Sequence, residues 1–268
     1  MENPRKYGEQ PFKVALIHGG PGGMGEMSSV ARKLHRDLEI GVLEPIQTKS
    51  NIDDLVKELR DIIMQHGTTP LTLIGYSWGA WLSYFLTAEH PELVEKLVLV
   101  SSGPFEEKYV GQLSRTRSDR LSTPEKNEYN NILKLLNNDL ESVTDQMYKR
   151  LGEFTQKTDL KDPIEDNADE IKIEHITGLN MKDTIHVLYE SLKLRESGKL
   201  YELGKKINCP VIAIHGDYDP HPADGVKDPL SKVLSNFRFI LLQNCGHTPW
   251  REKNASEDFY NHLYAILN

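Results

Sequence analysis

The stretch Leu71-Thr-Leu-Ile-Gly-Tyr-Ser-Trp-Gly-Ala-Trp-Leu-Ser-Tyr-Phe85 decides the fold class of this chain of 268 residues. It begins as a short apolar run, which predicts a buried strand, and from Trp78 it continues with a helical pattern. Gly75-Tyr-Ser-Trp-Gly79 lies at the junction. Gly-x-Ser-x-Gly between a strand and a helix is typical of a sharp turn that exposes a serine hydroxyl. The pattern also arises by chance, so its meaning depends on what the rest of the chain supplies.

Ser77, at the centre of this pattern, is predicted to have a strained backbone, because strand and helix nearly touch at such a turn. Gly75 and Gly79 leave room there, since neither carries a side chain. The expected result is a hydroxyl held at the end of a strand and close to the N-terminus of a helix.

The composition excludes several classes of protein. Lys and Arg number 32 against 40 Asp and Glu, giving a net charge of −8, and an acidic chain lacks the basic surface that nucleic acids and anionic membranes bind. The mean hydropathy of −0.51 predicts a water-soluble protein. The chain shows no signal-peptide core and no run near the roughly 18 apolar residues of a membrane span, so we expect it to be cytoplasmic. Cys209 and Cys245 are expected as thiols, with a disulfide left open.

Apolar runs alternate with helical patterns along most of the chain. The runs are apolar on both faces, which is typical of a parallel sheet covered by helices. They predict strands at residues 12–17, 38–43, 71–75, 96–101, 210–215 and 237–242.

Between the fourth and fifth runs, charged helical patterns replace the strands, for example at 106–120, 124–137, 139–151 and 181–197. This block is too long for a loop. We therefore predict an α/β core domain, residues 1–103 and 207–268, and a helical insertion, residues 104–206.

Three kinds of polar side chain follow three of the predicted strands. Ser77 follows the third, two aspartates follow the fifth, and His247 follows the last. Open α/β sheets carry their sites at the carboxyl ends of the strands, so these side chains are expected to meet. A serine hydroxyl needs a neutral imidazole to take its proton, and the imidazole needs a carboxylate on its other nitrogen. His247 supplies the imidazole. For the carboxylate, Asp219 is preferred over Asp217.

A glycine-rich segment, His18-Gly-Gly-Pro-Gly-Gly23, follows the first strand. Its spacing does not fit the dinucleotide-binding fingerprint, and no Gly-Lys-Ser/Thr makes it a phosphate-binding loop. So many glycines indicate that the backbone itself approaches something. An acyl-transfer site needs two backbone N–H groups for its oxyanion, and we assign these to Gly20 and Trp78.

Four further side chains are predicted to line or shape the pocket around Ser77: His18, Tyr76, His221 and Trp250. His18 is expected to shape the glycine-rich loop, and His221 to face the pocket. His215 is interpreted as structural.

Together these segments resemble the α/β-hydrolase superfamily from about residue 12 to 268. The motifs that carry the resemblance are His18-Gly-Gly-Pro-Gly22, Gly75-Tyr-Ser-Trp-Gly79, Gly216-Asp-Tyr-Asp219 and Gly246-His247. The resemblance implies that the insertion is a cap. It also favours Asp219, because the acid in this family commonly stands three residues after the glycine that ends its strand.

The chain departs from the family at its start, where the family sheet usually has two further strands. The residues before Phe12 do not show them. We therefore predict about six strands, all parallel, with the first two family strands missing or vestigial. Their order would be 38–43, 12–17, 71–75, 96–101, 210–215, 237–242.

The glycine-rich loop together with Gly-x-Ser-Trp-Gly also looks like the proline iminopeptidases. Those enzymes hold the free amine of the substrate with acidic residues of the cap. The insertion here has an acidic stretch, for which a solvated helix face is the preferred explanation: Asp162, Glu165, Asp166, Asp169, Glu170 and Glu174.

The expected function is that of a serine hydrolase that cleaves an ester or amide of a small molecule or short peptide, without cofactor or metal. The alternatives left open are a proline-iminopeptidase-like aminopeptidase, a carbon–carbon bond hydrolase and a ligand receptor with slow turnover. A haloalkane dehalogenase is disfavoured, because its nucleophile is a carboxylate and position 77 is serine. The oligomeric state is left open, with a homodimer as one option.

Overall fold

A twisted, mostly parallel sheet organises the molecule. The computed structural model describes residues 2–138, 142–164 and 181–268. Within them the sheet has seven strands in the order β1-β3-β2-β4-β5-β6-β7. Their bounds are Arg5–Tyr7 (β1), Phe12–Ile17 (β2), Gly41–Glu44 (β3), Leu71–Tyr76 (β4), Val94–Val100 (β5), Val211–Gly216 (β6) and Phe237–Leu242 (β7). Strands β2 to β7 are parallel and stand in the predicted order.

The first strand differs from the prediction. Arg5–Tyr7 pairs antiparallel with β3 at the edge of the sheet, so the expectation of about six strands, all parallel, was wrong. Of the two family strands expected to be missing or vestigial, this strand of three residues is present. The segment shows no apolar pattern, because polar contacts anchor it instead. Tyr7 donates a hydrogen bond to the Glu44 carboxylate at 2.6 Å, and Asn3 exchanges two hydrogen bonds with the backbone of Ile46.

Helices cover both faces of the sheet. Their bounds are Ser28–Leu38 (α1), Ile52–His66 (α2), Trp78–Glu89 (α3), Val110–Asp119 (α4), Thr123–Asn138 (α5), Asp145–Asp159 (α6), Met181–Glu196 (α7), Lys199–Glu202 (α8), Asp224–Val233 (α9) and Ser256–Leu267 (α10). One apolar cluster joins α2, α3 and α9 to one face, and a second joins α1 and α10 to the other.

Helix α3 is the most deeply packed of these elements. Every residue from Trp78 to Ala88 is buried, as expected of a helix that is apolar all round. Its burial fixes the N-terminal end of the helix, and with it the position of Ser77, against the end of β4.

The segment between β5 and β6 is helical over its described residues, as predicted. Helix α6 begins later than the predicted 139–151, because Thr144 caps it by accepting a hydrogen bond from the Met147 N–H at 3.3 Å. These helices have a small apolar cluster of their own, formed by Leu121, Tyr129, Ile132 and Phe154.

Two further expectations concern the whole chain. In the described part of the structure, no helix has both the length and the apolar character that crossing a membrane requires. Cys209 and Cys245 are free thiols, so the disulfide that the sequence left open is not formed.

Candidate active site

Ser77 stands at a sharp turn between β4 and α3. Its backbone has φ 53° and ψ −118°, a conformation that L-residues rarely adopt. A Cβ at position 75 would collide with the carbonyl oxygen of Gly79, and one at position 79 with the carbonyl oxygen of Ile17. Only glycine fits at either position, because the end of β4, the start of α3 and the end of β2 are in backbone contact there.

The side chains of Ser77, His247 and Asp219 form one hydrogen-bonded chain. His247 Nε2 lies 3.0 Å from Ser77 Oγ, and His247 Nδ1 lies 2.8 Å from Asp219 Oδ2. His247 and Asp219 are each 7% exposed. The sheet therefore brings a hydroxyl, an imidazole and a buried carboxylate from three different strand ends into contact.

The two aspartates of the loop after β6 have different partners. Asp219 contacts the imidazole of His247, whereas Asp217 Oδ1 accepts a hydrogen bond from the Cys245 N–H at 3.0 Å. Asp217 thus joins the loop after β6 to the loop after β7.

Asp219 is shared by more than one histidine. His221 contacts Oδ1 twice, with its backbone N–H at 2.9 Å and with Nδ1 at 2.8 Å. His215 Nε2 lies 3.5 Å from Oδ2 and 2.8 Å from the carbonyl oxygen of His221. Burial alone would raise the pKa of Asp219, but His247, His221 and His215 hold it well below its ordinary value. The carboxylate is therefore ionised and fixed in orientation.

The two histidines that flank this carboxylate stack on each other and differ in pKa. Their ring centroids are 4.5 Å apart at an interplanar angle of 26°. Burial lowers the pKa of His221 to about 4 in spite of Asp219, so this ring is neutral near pH 7. Burial also lowers the pKa of His247, but the charge and hydrogen bond of Asp219 and the charge of Asp159 outweigh it, and the net shift is upward. His247 is thus the more basic of the pair.

Asp159, at the end of α6, comes close to these histidines. Arg117 of α4 donates two hydrogen bonds to its carboxylate, at 3.0 and 2.5 Å, and the Thr158 hydroxyl donates a third at 2.7 Å. The Asp159 backbone carbonyl accepts a hydrogen bond from the His247 N–H at 2.7 Å. The insertion therefore contacts the backbone of the histidine that faces Ser77. Sequence reasoning missed Arg117 and Asp159, which look like ordinary charged residues of helices.

Glu252 joins the loop that carries His247 to the segment that follows α6. Its buried carboxylate accepts hydrogen bonds from the backbone N–H groups of Gly246, Lys161 and Asp162, at 2.8 to 2.9 Å. A Cβ at Gly246 would overlap the Asp159 carbonyl and the Glu252 carboxylate, so glycine is required beside His247. The loop after β7 and the segment after α6 are thereby held as one unit.

His18 was predicted to line or shape the pocket, and the structure places it inside the protein with no exposed surface. Its Nδ1 contacts the Gly19 carbonyl at 2.8 Å, and its Nε2 accepts a bond from the Gln47 N–H at 3.4 Å. Gln47 in turn accepts a hydrogen bond from the Trp78 indole at 2.8 Å. His18 therefore supports the glycine-rich loop and does not line an open pocket, because its side chain is enclosed by that loop and by Gln47. The sequence signal that could have revealed Gln47 is its position as a polar residue shortly after the end of β3.

Tyr76 and Trp250 form an aromatic layer behind His247. The Tyr76 ring lies 5.2 Å from the His247 ring and 4.6 Å, edge to face, from Trp250. The Tyr76 hydroxyl and the Thr248 hydroxyl are 2.9 Å apart. Both aromatic side chains are largely buried, at 6% and 7% exposure, so they support the histidine with little surface left for a ligand.

The glycine-rich loop after β2 has a backbone that only glycine tolerates at Gly20. Its φ is 106°, and a Cβ there would lie 2.6 Å from the backbone nitrogens of Gly22 and Gly23. Trp78 is the first residue of α3, and an N–H in the first turn of a helix has no acceptor within that helix. Of the two predicted oxyanion donors, Gly20 thus lies in a backbone conformation that requires glycine, and Trp78 has an N–H with no acceptor inside α3.

Glu26 brings a further carboxyl group under this loop. Its Oε2 would be 2.8 Å from a Cβ at Gly19, and among the described residues this buried oxygen has no hydrogen-bond partner. Burial raises the pKa of Glu26 to about 7, and the nearby charge of His247 opposes the rise. Sequence reasoning missed this group.

Most of the predicted acidic stretch, namely Glu165, Asp166, Asp169, Glu170 and Glu174, lies outside the described residues. Asp162 is described, and its carboxylate accepts a hydrogen bond from Asn254 at 3.2 Å. Its side chain thus contacts the segment after β7.

Comparison with known protein families identifies the family to which this fold belongs. A family model described as the alpha/beta hydrolase fold matches residues 14–250. The chain belongs to the α/β-hydrolase family. The family assignment covers both sides of the helical insertion and every strand end that contributes to the site.

Relatives within the α/β hydrolases are distant. A pimeloyl-[acyl-carrier protein] methyl ester esterase of Neisseria meningitidis serogroup C is 23% identical over 195 residues, 73% of this chain and 69% of that protein. The corresponding serogroup A protein is matched over 57% of its length.

Solved structures of other α/β hydrolases match nearly the whole chain. VinJ matches with a TM-score of 0.70 and 17% identity, over 98% of this chain and 93% of that one. The proline iminopeptidase of Mycobacterium smegmatis matches with a TM-score of 0.63 and 14% identity, over 98% of this chain and 93% of that one. At such identities the likeness shows the fold alone.

Proposed function

We propose that this α/β hydrolase is a serine hydrolase that cleaves an ester or amide of a small molecule through an acyl-enzyme. The hydrogen-bonded chain from Ser77 Oγ through His247 to Asp219 supports this most directly. A serine is activated by a base within hydrogen-bond reach, and the base by a group that orients it. Ser77 is the nucleophile, His247 the general base and Asp219 the orienting acid.

The proposed reaction begins with transfer of the Ser77 proton to His247 Nε2 as Ser77 Oγ attacks the substrate carbonyl carbon. His247 then gives that proton to the leaving alcohol or amine, and the acyl group stays on Ser77. In the second half, His247 takes a proton from water as the water oxygen attacks the acyl carbon, and it then returns that proton to Ser77 Oγ, which leaves as the free hydroxyl while the acid product is released. Asp219 stabilises the imidazolium in each half through Nδ1.

The oxyanion formed at each step would be held by the backbone N–H groups of Gly20 and Trp78. Such donors stabilise charge that develops in the transition state. The N-terminus of α3 adds a partial positive charge at the same place. His18 and Gln47 support this arrangement indirectly, because they connect the glycine-rich loop to the Trp78 side chain.

For the scissile bond, an ester is the first choice. The matched relative from Neisseria meningitidis is named as a methyl ester esterase. In the described part of the segment 104–206, which we propose is a cap over Ser77, the carboxylate of Asp159 lies beside His221 and His247. Arg117 contacts both of its oxygens, so a substrate amine would have to share this carboxylate with a guanidinium.

The test combines a covalent probe with a substrate panel. A fluorophosphonate probe is expected to label the wild-type protein and not the Ser77→Ala variant. Labelling that survives the substitution would refute the assignment of the nucleophile. Ser83→Ala is a matched control, since Ser83 is fully buried in α3 and its loss leaves Ser77 in place.

The panel contains p-nitrophenyl esters of increasing acyl length and aminoacyl arylamides with free and blocked amines. Turnover of esters above that of arylamides supports the proposal. A requirement for the free amine would move the function to an aminopeptidase. Labelling of Ser77 without turnover of any substrate would favour a ligand receptor.

A further inference from the structure

Two side chains that take no part in the proposed reaction, Asp159 and His221, lie in a cluster with His247 at the proposed active site. Asp159, His221 and His247 each offer one potential metal-ligand atom, and these atoms all lie within 4.8 Å of one another. Asp159 and His247 are buried and His221 is largely so. The set consists of two imidazoles and one carboxylate, which is a ligand combination that zinc uses.

The two imidazoles are oriented as metal-bound histidines usually are. Such a histidine donates its other ring N–H to a carboxylate or carbonyl, which fixes the tautomer and the direction of the remaining lone pair. Here the Nδ1 atoms of His247 and His221 lie 2.8 Å from the two oxygens of Asp219. Because both Nδ1 atoms are engaged by Asp219, the Nε2 atoms are the ring nitrogens left to bind a metal ion.

The third potential ligand, the carboxylate of Asp159, is held in place by other residues of the insertion. Arg117 and Thr158 fix the Asp159 carboxylate. With zinc bonds of about 2.1 Å, ligand atoms of a tetrahedral site are about 3.4 Å apart. The ligand atoms are therefore at most about 1.4 Å farther apart than in a closed tetrahedral site, so zinc binding requires the three side chains to move closer together by up to that distance. The positive charge of Arg117 opposes a cation and limits the affinity.

We propose that a zinc ion binds Asp159, His221 and His247 and inhibits the enzyme reversibly. The inhibitory part rests on the proposed function. Zinc would occupy the Nε2 lone pair of His247 that accepts the Ser77 proton, so the serine could not be activated. No bond of the substrate is made or broken by the ion.

Binding is measured first, with zinc alone and the full chain, by equilibrium dialysis of the Ser77→Ala variant. This variant keeps all three ligands, and its readout needs no turnover. We expect about one zinc ion bound per chain, and we expect His221→Asn or Asp159→Asn to weaken this binding by at least about tenfold. The control is His186→Asn, because His186 and Glu190 form an exposed pair 3.4 Å apart on α7. Its removal should leave that zinc bound.

Thermal unfolding shows whether each variant is folded, and the wild-type protein supplies a test without substitutions. Zinc should slow fluorophosphonate labelling of Ser77, and EDTA should restore it. Labelling that is indifferent to zinc, together with no zinc bound at 100-fold molar excess, would overturn the zinc site and leave the proposed hydrolase intact. Zinc binding that needs His221 in a protein that never labels would uphold the site and refute the hydrolase. Binding that only His186→Asn abolishes would also overturn the site.

Discussion

At the scale of single residues, the geometry of the site depends on which groups contact the two carboxylate oxygens of Asp219. Oδ2 faces His247 and Oδ1 faces His221. Because both oxygens have histidine partners, the carboxylate cannot rotate without breaking a hydrogen bond. This fixes the orientation of His247 toward Ser77 more firmly than a single contact would.

The first prediction compares the two aspartates of the loop after β6. Asp219→Asn should lower kcat for an activated ester by a factor on the order of 10⁴, because an amide cannot stabilise the imidazolium of His247. Asp217→Asn should have a much smaller effect, since Asp217 contacts the Cys245 N–H and no catalytic group. Steady-state kinetics on p-nitrophenyl acetate measure both. The reverse ranking would transfer the role to Asp217.

The second prediction concerns pH. In the proposed mechanism turnover requires neutral His247, so the rate should fall as pH decreases through the pKa of that residue. Burial lowers this pKa, but Asp219 and Asp159 raise it more, and the acidic limb should therefore lie above the ordinary value of about 6.5. The charged or titratable groups around the ring include Asp219, Asp159 and Arg117, Glu26, and the rings of His221 and Tyr76. The profile is measured with p-nitrophenyl acetate in the presence of EDTA.

Glu26 provides the control for that profile, because burial raises its pKa to about 7. Glu26→Gln removes the titrating carboxyl and keeps its shape. The acidic limb should persist in this variant. Its disappearance would assign the limb to Glu26 and contradict the role given to His247.

At the scale of elements, the turn between β4 and α3 depends on glycines that allow backbones to touch. Gly79 faces the carbonyl oxygens of Ile17 and His18 at the end of β2. The same contact brings the glycine-rich loop next to Ser77. The packing of α3 against β2 thus determines the geometry of the site.

The third prediction follows from this contact. Gly79→Ala should lower the free energy of unfolding by roughly 1–3 kcal/mol, because the added methyl group forces backbone shifts. Gly152→Ala is the matched control, since Gly152 lies within α6 and a Cβ there would meet nothing within 4 Å. That change should stabilise by up to about 1 kcal/mol through helix propensity. Urea unfolding measures both, and equal effects would contradict the argument.

At the scale of the whole molecule, the insertion is attached to the sheet at the site itself. Glu252 binds backbone N–H groups on both sides of this junction. Arg120 reaches from the insertion to the carbonyl oxygens of Thr158 and Tyr218. The described end of α6 therefore belongs with the loop that carries His247.

The fourth prediction tests this attachment. Glu252→Gln should lower the free energy of unfolding by about 1–3 kcal/mol, because a buried amide cannot accept all three hydrogen bonds and places a donor beside N–H groups. It should also reduce kcat more than it raises KM, since His247 loses its support. Glu95→Gln, an exposed position on β5, is the control. A Glu252 variant with wild-type stability and kcat would show that these hydrogen bonds contribute neither to stability nor to turnover.

Much of this protein was determined by local sequence. The apolar runs predicted the six parallel strands, because buried strands are recognisable without knowing their neighbours, and the resemblance to the α/β hydrolases implied their order. Gly75, Ser77 and Gly79 predicted the sharp turn, since only small residues fit between two touching backbones. The positions of Ser77, Asp219 and His247 after strands placed them at one edge of the sheet, where their side chains meet.

Only the tertiary structure decided the remaining features, because each depends on groups far apart in the chain. Strand β1 forms through polar contacts with β3 that leave no apolar pattern. The preference for Asp219 over Asp217 at His247 is a matter of a few ångströms within one loop. Arg117, Asp159 and Glu252 look like surface charges in sequence, and they become buried partners only when the insertion packs onto the loop after β7. Burial and pairing, which set the ionisation of these groups, are properties of the folded chain.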